Sequence, residues 1–359
     1  MRFIHTADLH LASKLSSRFT PEKARLRRRE LLETFRRIAD KAIELDARGI
    51  LLSGDIFDEE KPPERTVKQF LDVVRSHPGI DFLCLAGNHD ESLSGRDDLP
   101  ENLLTFDEEW KKYSYGDVEI HGVELSCANC DLIYSSLRTD PDKINIVMLH
   151  GQIAESAVAP DEQTVILPRL AGKGIDYLAL GHIHSYKTGS LDRRGPWCYC
   201  GTPEGRGFDE CGEKGVVLLD CEAKNVKCRF LPVALRTIRS ISCDLTGAEG
   251  VYDVEKRVEE SLSGIPEKDL VQLRLTGSLP PQTHISPSSV SGLLERRFFG
   301  YEVKNALKTA IDPEEYRDLL SLNGEFVRLV MGEDLPEEDK NRIIRCGLLA
   351  LMGEEVDEV

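Results

Sequence analysis

Ile50-Leu51-Leu52-Ser53-Gly54-Asp55-Ile56-Phe57-Asp58 is a short apolar run that breaks at a glycine and then presents two carboxylates. Such a run reads as a buried strand with an acidic loop at its end. Upstream, residues 21–48 read as an amphipathic helix, with Pro21 near its start and Gly49 just beyond its end. Before that helix, residues 2–7 are strand-like and deliver Asp8 and His10 to a loop. Downstream, a helix from about Pro63 to Ser76 leads to the buried strand Asp81–Ala86, which ends at Gly87-Asn88-His89-Asp90. Alternating strands and helices predict an α/β sheet with right-handed crossovers, and polar residues at the carboxyl ends of its strands lie where such sheets bind substrates.

From about residue 113 the texture changes to short strands, predicted at 117–124, 131–137, 144–149, 176–180, 196–200, 215–220 and 226–231. Two of these end at His150-Gly151 and Gly181-His182-Ile183-His184. The expected fold class is α/β (α+β): a two-sheet β-sandwich core flanked by helices, with the polar strand ends gathered at one end. After Pro232, strand 238–244, helix 251–262, strand 269–275, helix 288–297 and strand 300–306 spell a small α/β module. The expected domains are 1–235, 236–310 and an acidic helical segment, 311–359. In that segment Leu319, Leu320, Phe326, Leu329, Ile343, Ile344, Leu348, Leu349 and Leu351 recur at helical intervals. This stripe either packs on the chain's own body or binds a partner helix.

The five polar motifs share one chemistry. A phosphodiester is negatively charged, so a nucleophile approaches only when its oxygens are neutralised. Two divalent ions do this and supply hydroxide near neutral pH. A mixture of carboxylate, amide and imidazole suits Mn, Fe or Zn. The sequence offers Asp8, His10 and His184 for one ion, Asn88, His150 and His182 for the other, and Asp55 as a bridge. Glycines beside Asp55, Asn88, His150 and His182 are expected to let the chain turn sharply and to admit substrate closely. Against this stands a plainer reading, since a single histidine at a strand end is more often structural. Six of the nine histidines, however, fall in or beside these segments. His5 is expected in the core or supporting the site, and His77, His121 and His284 on the surface or in packing.

The 359 residues exceed one typical domain. Apolar content of 40% with 30% charged residues fits a soluble globular protein. No stretch approaches the roughly 20 apolar residues that span a bilayer, and the chain opens directly on a strand, so no membrane or export role is expected. Ten cysteines show no paired framework, and Cys127-x-x-Cys130 lacks a second pair, so reduced thiols in the cytoplasm are expected rather than a zinc knuckle. The net charge of −17 argues against gripping nucleic acid with the whole surface. The charge is uneven: residues 312–359 carry a net −9 and residues 21–37 a net +4. The run Arg25-Leu26-Arg27-Arg28-Arg29 is either a solvated helix face or a patch for a phosphate backbone.

The motifs His5-Thr6-Ala7-Asp8-Leu9-His10-Leu11, Gly54–Asp58 and Ala86-Gly87-Asn88-His89-Asp90, with Gly201-Thr202-Pro203 before Gly207–Gly215, resemble the calcineurin-like metallophosphoesterase superfamily. Within it the chain resembles the SbcD-like nucleases of double-strand-break repair over residues 1–232. The module at 236–310, with Asp269–Gly277, resembles their DNA-recognising capping domain. The resemblance implies a nuclease with two divalent ions, Mn²⁺ first and Fe, Zn or Mg as alternatives. It implies action on DNA ends and hairpins, a homodimer, an SbcC-like SMC-type ATPase partner and a cytoplasmic, nucleoid-associated location. By motif, His89 is the catalytic histidine, orienting the phosphate or protonating the leaving oxygen, and Asp55 joins it in catalysis. Two rivals share the ligands or the partner: a small-molecule phosphodiesterase or phosphatase of the same superfamily, and a scaffold that only recruits an ATPase.

Overall fold

The computed structural model describes residues 1–15, 19–59, 61–87, 90, 93–156, 158–279, 287–309 and 313–353. Asn88, His89 and His284 lie outside the described residues. The chain divides into two units, residues 1–238 and 239–359.

The first unit begins with strand–helix alternation: β1 (Arg2–Thr6), α1 (Pro21–Glu44), β2 (Ala47–Ser53), α2 (Glu64–Arg75), β3 (Asp81–Leu85) and β4 (Leu103–Thr105). It continues through β5 (Lys111–Tyr115), β6 (Val118–Gly122), α3 (Ile133–Ser136), β7 (Ile144–His150), β8 (Gln152–Ala154) and β9 (Thr164–Ile166). Then come α4 (Leu167–Leu170), β10 (Tyr177–Gly181), β11 (Lys187–Ser190), β12 (Pro196–Tyr199), β13 (Gly215–Glu222) and β14 (Asn225–Pro232). Two six-stranded sheets result, in the orders β14-β13-β1-β2-β3-β4 and β11-β12-β10-β7-β6-β5. Each has a parallel centre; the first has antiparallel β13 and β14 at one edge and parallel β4 at the other, and the second has an antiparallel strand at each edge. The α/β two-sheet expectation is met.

Side chains alternate across each strand, so one strand feeds two cores. Phe3, Leu51, Leu83 and Val217 meet Ile146, Met148, Tyr177 and Ala179 between the sheets. Their neighbours Ile4, Ile50, Leu52 and Phe82 face outward under Phe35 and Ile38 of α1 and Phe70 of α2. On the far side, Val147, Leu149, Leu178 and Leu180 are covered by Ile133, Leu137, Leu167 and Leu170. Central strands buried on both faces explain the unbroken apolar runs in the sequence.

Two local expectations fail. The first helix stops at Glu44, because Asp46 takes a left-handed φ of 52° and Ala47 already pairs with Arg2. The segment 131–137 is a helical turn, not a strand. Asn129 nucleates it, accepting from the Ser126 N–H at 2.9 Å and donating to the carbonyls of Glu108 and Glu124 at 2.8 and 2.7 Å. Within the Arg25–Arg29 run, Arg25 and Arg29 are exposed as on a solvated helix face, whereas Arg27 is buried against Glu30 and Glu204.

The second unit contains all but the first residue of β15 (Ile238–Asp244), then α5 (Val251–Ser261), β16 (Leu270–Thr276), β17 (Ser278–Leu279), α6 (Pro287–Arg297), β18 (Gly300–Asn305) and β19 (Lys308–Thr309). Its three-stranded sheet, β15-β16-β18, shares a core with α5 and α6 that includes Val254, Val258, Val271, Leu273 and Leu294. Three helices follow: α7 (Pro313–Arg317), α8 (Leu322–Met331) and α9 (Glu337–Met352). The apolar stripe splits here. Ile344 and Leu348 are buried with Tyr316, Val327 and Val330, whereas Leu319, Leu320, Leu329, Ile343 and Leu351 stay exposed. No helix among the described residues is long and apolar enough to cross a membrane.

Candidate metal centre

The parallel pairing of β1 with β2 continues past both strands into the loops. The Asp8 N–H donates to the Gly54 carbonyl at 3.0 Å, His10 N–H to Asp55 at 3.0 Å, and Leu11 N–H to Ile56 at 2.8 Å. Two acid-bearing loops are thereby held side by side. From the second sheet, β7 ends at His150 and β10 at Gly181, with Gly181 paired to His150. The His182 N–H donates to Asp8 Oδ1 at 2.8 Å, which joins the two sheets at this end.

The backbone here is strained. Asp8, His10, Asp55 and His182 have φ of 53°, 45°, 53° and 98°, a left-handed region that non-glycine residues enter at a cost of about 1–3 kcal/mol each. The sharp turns therefore fall on the functional residues as well as on Gly54, whose φ is 89°. The neighbouring Gly181 serves close approach instead: a Cβ there would strike the Ser53 carbonyl and the His150 ring.

Asp8, His10 and His184 form one cluster, and Asp8, Asp55 and His150 another, each with its ligand-type atoms within 4.8 Å of one another. His10 Nε2 lies 3.1 Å from His184 Nε2 and 3.7 Å from Asp55 Oδ2. His150 Nε2 lies 3.5 Å from the same Asp55 oxygen. The His182 ring packs edge-on to His150, with centroids 5.4 Å apart. Asp8, His10, Asp55 and His150 are buried, while His182 and His184 are partly exposed.

This donor set fits a cation. Two imidazoles bound to one ion at about 2.1 Å and near right angles stand about 3 Å apart, the separation of His10 and His184. Buried Asp8 Oδ2 has no hydrogen-bond partner among the described residues. Carboxylate oxygens and imidazole nitrogens facing one another favour a transition-metal ion. Among the described residues, Cys127 and Cys130 join no cluster of three or more such side chains.

Hydrogen bonds orient the rings. His150 Nδ1 lies 2.8 Å from the Ser53 carbonyl, which can only accept, so Nδ1 carries the proton and Nε2 faces Asp55. Burial opposes charge on His150, but Asp55 and then Asp8 outweigh it and raise its pKa to about 9. Burial, and then the His150 charge, lowers that of His182. His184 Nδ1 donates to Glu210 Oε1 at 2.9 Å. Burial would raise the Glu210 carboxyl, yet His184 and Arg206 hold it down at about 2.

Sequence reasoning missed four residues. Asp58, Arg206 and Glu210 surround the His10–His184 pair. Asp90 accepts from the N–H groups of Ile56 (2.7 Å), Phe57 (2.6 Å) and Gly87 (3.3 Å), tying the Asp55 loop to the 87–90 loop. All but Arg206 stand within motifs quoted above, so their positions were visible although their tasks were not. The remaining described histidines have ordinary tasks. His5 is fully buried beside the Tyr177 hydroxyl at 2.9 Å, His77 bonds Val73 and Asp40, and His121 bonds Asn145.

Comparison with known proteins agrees with this geometry. The DNA double-strand break repair protein Mre11 of Haloferax volcanii is 28% identical over 266 residues, covering 72% of this chain and 58% of that protein. Its namesake from Sulfolobus acidocaldarius is 23% identical over 316 residues, covering 82% and 79%. The uncharacterized metallophosphoesterase YhaO of Bacillus subtilis is 28% identical over 302 residues, covering 78% and 72%. The chain thus spans little more than half the length of the Haloferax relative. The calcineurin-like phosphoesterase family model matches residues 1–186, more than half of the chain. With acids and histidines gathered at the strand ends of that region, the chain belongs to the calcineurin-like phosphoesterase family and is a metal-dependent phosphoester hydrolase.

Proposed function

We propose that this chain is a two-metal-dependent DNA nuclease that hydrolyses phosphodiester bonds at DNA ends in double-strand-break repair. The observation that carries the proposal is the convergence of His10 Nε2 and His184 Nε2, 3.1 Å apart, beside the Asp8 and Asp55 carboxylates. The DNA assignment is supported by relatives named for double-strand-break repair. In this reading Asp8, His10 and His184 hold one ion, Asn88, His150 and His182 the other, and Asp55 serves both. Bound divalent ions, Mn²⁺ first, neutralise phosphate oxygens and lower the pKa of water. Asp55 and the buried carboxylate of Asp8 supply the negative field that retains such charge. His89, next to Asn88 in the sequence, orients the phosphate or gives its proton to the leaving 3′ oxygen.

A homodimer, an SMC-type ATPase partner and a cytoplasmic setting belong to the same proposal. Exposed Leu319, Leu320, Leu329 and Ile343 in the acidic helical segment support a protein partner. One observation favours a small-molecule phosphodiesterase instead: the hollow beside His150 is walled by Glu108, Glu124 and Glu162, carboxylates that repel a polyanion.

Mn²⁺-dependent degradation of linear double- and single-stranded DNA, set against a small aryl phosphodiester, separates these readings. The nuclease reading expects wild type to digest DNA, Asp55→Ala and His89→Ala to fail, and His89→Ala still to bind two ions. Hydrolysis of the small diester with DNA left intact, even with the ATPase partner added, would sink it.

A further inference from the structure

The orientation of the His10–His184 pair has its own machinery, distinct from the groups that would bind an ion. His184 Nδ1 donates to Glu210 Oε1 at 2.9 Å, whereas His10 Nδ1 stands 3.0 Å from Asp58 Oδ1 as a close ionic contact that lacks hydrogen-bond geometry. One guanidinium joins the two carboxylates. Arg206 donates through NH1 to Asp58 Oδ1 at 2.8 Å, and through NH2 and Nε to Glu210 Oε1 at 3.0 and 3.2 Å. The Arg206 backbone N–H adds a bond to Glu210 Oε2 at 2.7 Å. Arg206 is largely buried, its side chain 14% exposed, and Glu210 is more so at 4%. Arg206 NH2 also stands 3.1 Å from His184 Nδ1. Both groups are donors converging on one Glu210 oxygen, because arginine accepts nothing and a bare Nδ1 would confront the carboxylate. Lys214 Nζ pins the backbone, donating to the His184 carbonyl at 2.8 Å.

We propose that Arg206 is a positioning residue that, through Glu210, locks His184 as the Nδ1–H tautomer and, through Asp58, holds a carboxylate against the His10 ring, so that the two Nε2 atoms face one another. The chain of contacts runs Asp58, His10, His184, Glu210 and closes through Arg206. Asp58 and Glu210 come from loops 152 positions apart, so neither ring is fixed by its own loop alone. Arginine's planar fork reaches both carboxylates at once, whereas lysine, a single point charge, cannot. Supporting groups of this kind are worth 10- to 100-fold, roughly, in metal affinity. The proposal rests on the two-metal reading for its purpose but not for its geometry.

Two measurements on the full chain test it: imidazole ¹⁵N NMR of the metal-free protein and calorimetric titration with Mn²⁺. The variants are Arg206→Lys, which keeps the charge, Arg206→Met, and Glu210→Gln, which keeps an acceptor. Wild type is expected to show His184 as a single Nδ1–H tautomer. Arg206→Lys, folded as judged by its melt, should show mixed tautomers at His184, with His150 unchanged, and bind one of two Mn²⁺ ions about 10- to 100-fold more weakly. Glu210→Gln should retain the His184 tautomer. An unchanged His184 tautomer and affinity in Arg206→Lys would overturn the proposal and leave the two-metal reading intact. Wild type that binds no Mn²⁺ sinks the two-metal reading, and the NMR result then decides the clamp alone. If Arg206→Met does not fold, the lysine and glutamine variants still decide.

Discussion

The two halves of the site solve one problem with different materials. Around His10 and His184 the orienting groups are charged side chains, Asp58, Glu210 and Arg206, drawn from distant loops. Around His150 the orienting group is the neutral Ser53 carbonyl, supplied by the end of β2. A backbone acceptor comes with the sheet and cannot be mutated away. A charged clamp can be tuned or lost by single substitutions. The first half should therefore be adjustable by mutation and acid, and the second should follow the integrity of the sheets.

The harshest test removes what the halves share. Asp55→Ala is expected to abolish Mn²⁺ uptake at both positions and reduce phosphodiester hydrolysis to the uncatalysed level, read by metal analysis and turnover. Loss of one ion alone would break the symmetry argued here. Next comes acid. The depressed pKa of Glu210 means its contribution is complete above about 4.5 and disappears as pH falls towards 2, about 3 kcal/mol at most. Acid unfolding of metal-free wild type should show that loss, and Glu210→Gln should flatten it.

The other half responds at alkaline pH. His150 holds its proton up to about 9, so an ion must displace it. Affinity for one of two Mn²⁺ ions should climb about tenfold per pH unit from 7 to 9, by calorimetry. A pH-independent profile would show that Asp55 does not charge His150 in solution. The smallest effect is expected at Tyr199, whose hydroxyl donates to the Gly151 carbonyl at 2.7 Å and accepts from the Ile153 N–H at 2.8 Å. Tyr199→Phe leaves both groups unpaired and should cost about 1–2 kcal/mol in denaturant melts, with the His184 tautomer undisturbed.

Much of this was legible in the residues. Strands β1, β2, β3, β7 and β10 announced themselves as apolar runs because both their faces are buried, and each ends at a polar motif. Edge strand β5 did not: Lys111–Tyr115 is half exposed, so its apolar signal is weak. The helical turn at 133–136 was hidden because Asn129, a side chain outside it, starts it. The polar cluster could be inferred from residue type, since Asp8, His10, Asp55, His150, His182 and His184 have the chemistry of ligands. Arg206 could not. Its partners Asp58 and Glu210 are a matter of loop packing, and nothing in a lone arginine after Pro203-Glu204-Gly205 tells which carboxylates it will meet.

The left-handed backbone at Asp8, His10, Asp55 and His182 bears on how such a chain could drift. At these four positions glycine is the comfortable residue, and the present ones persist against a conformational penalty. A copy relieved of its chemistry would be free to relax there and grow more heat-resistant as it grew inert. Asp55→Gly should accordingly melt above Asp55→Ala, although both have lost the same carboxylate.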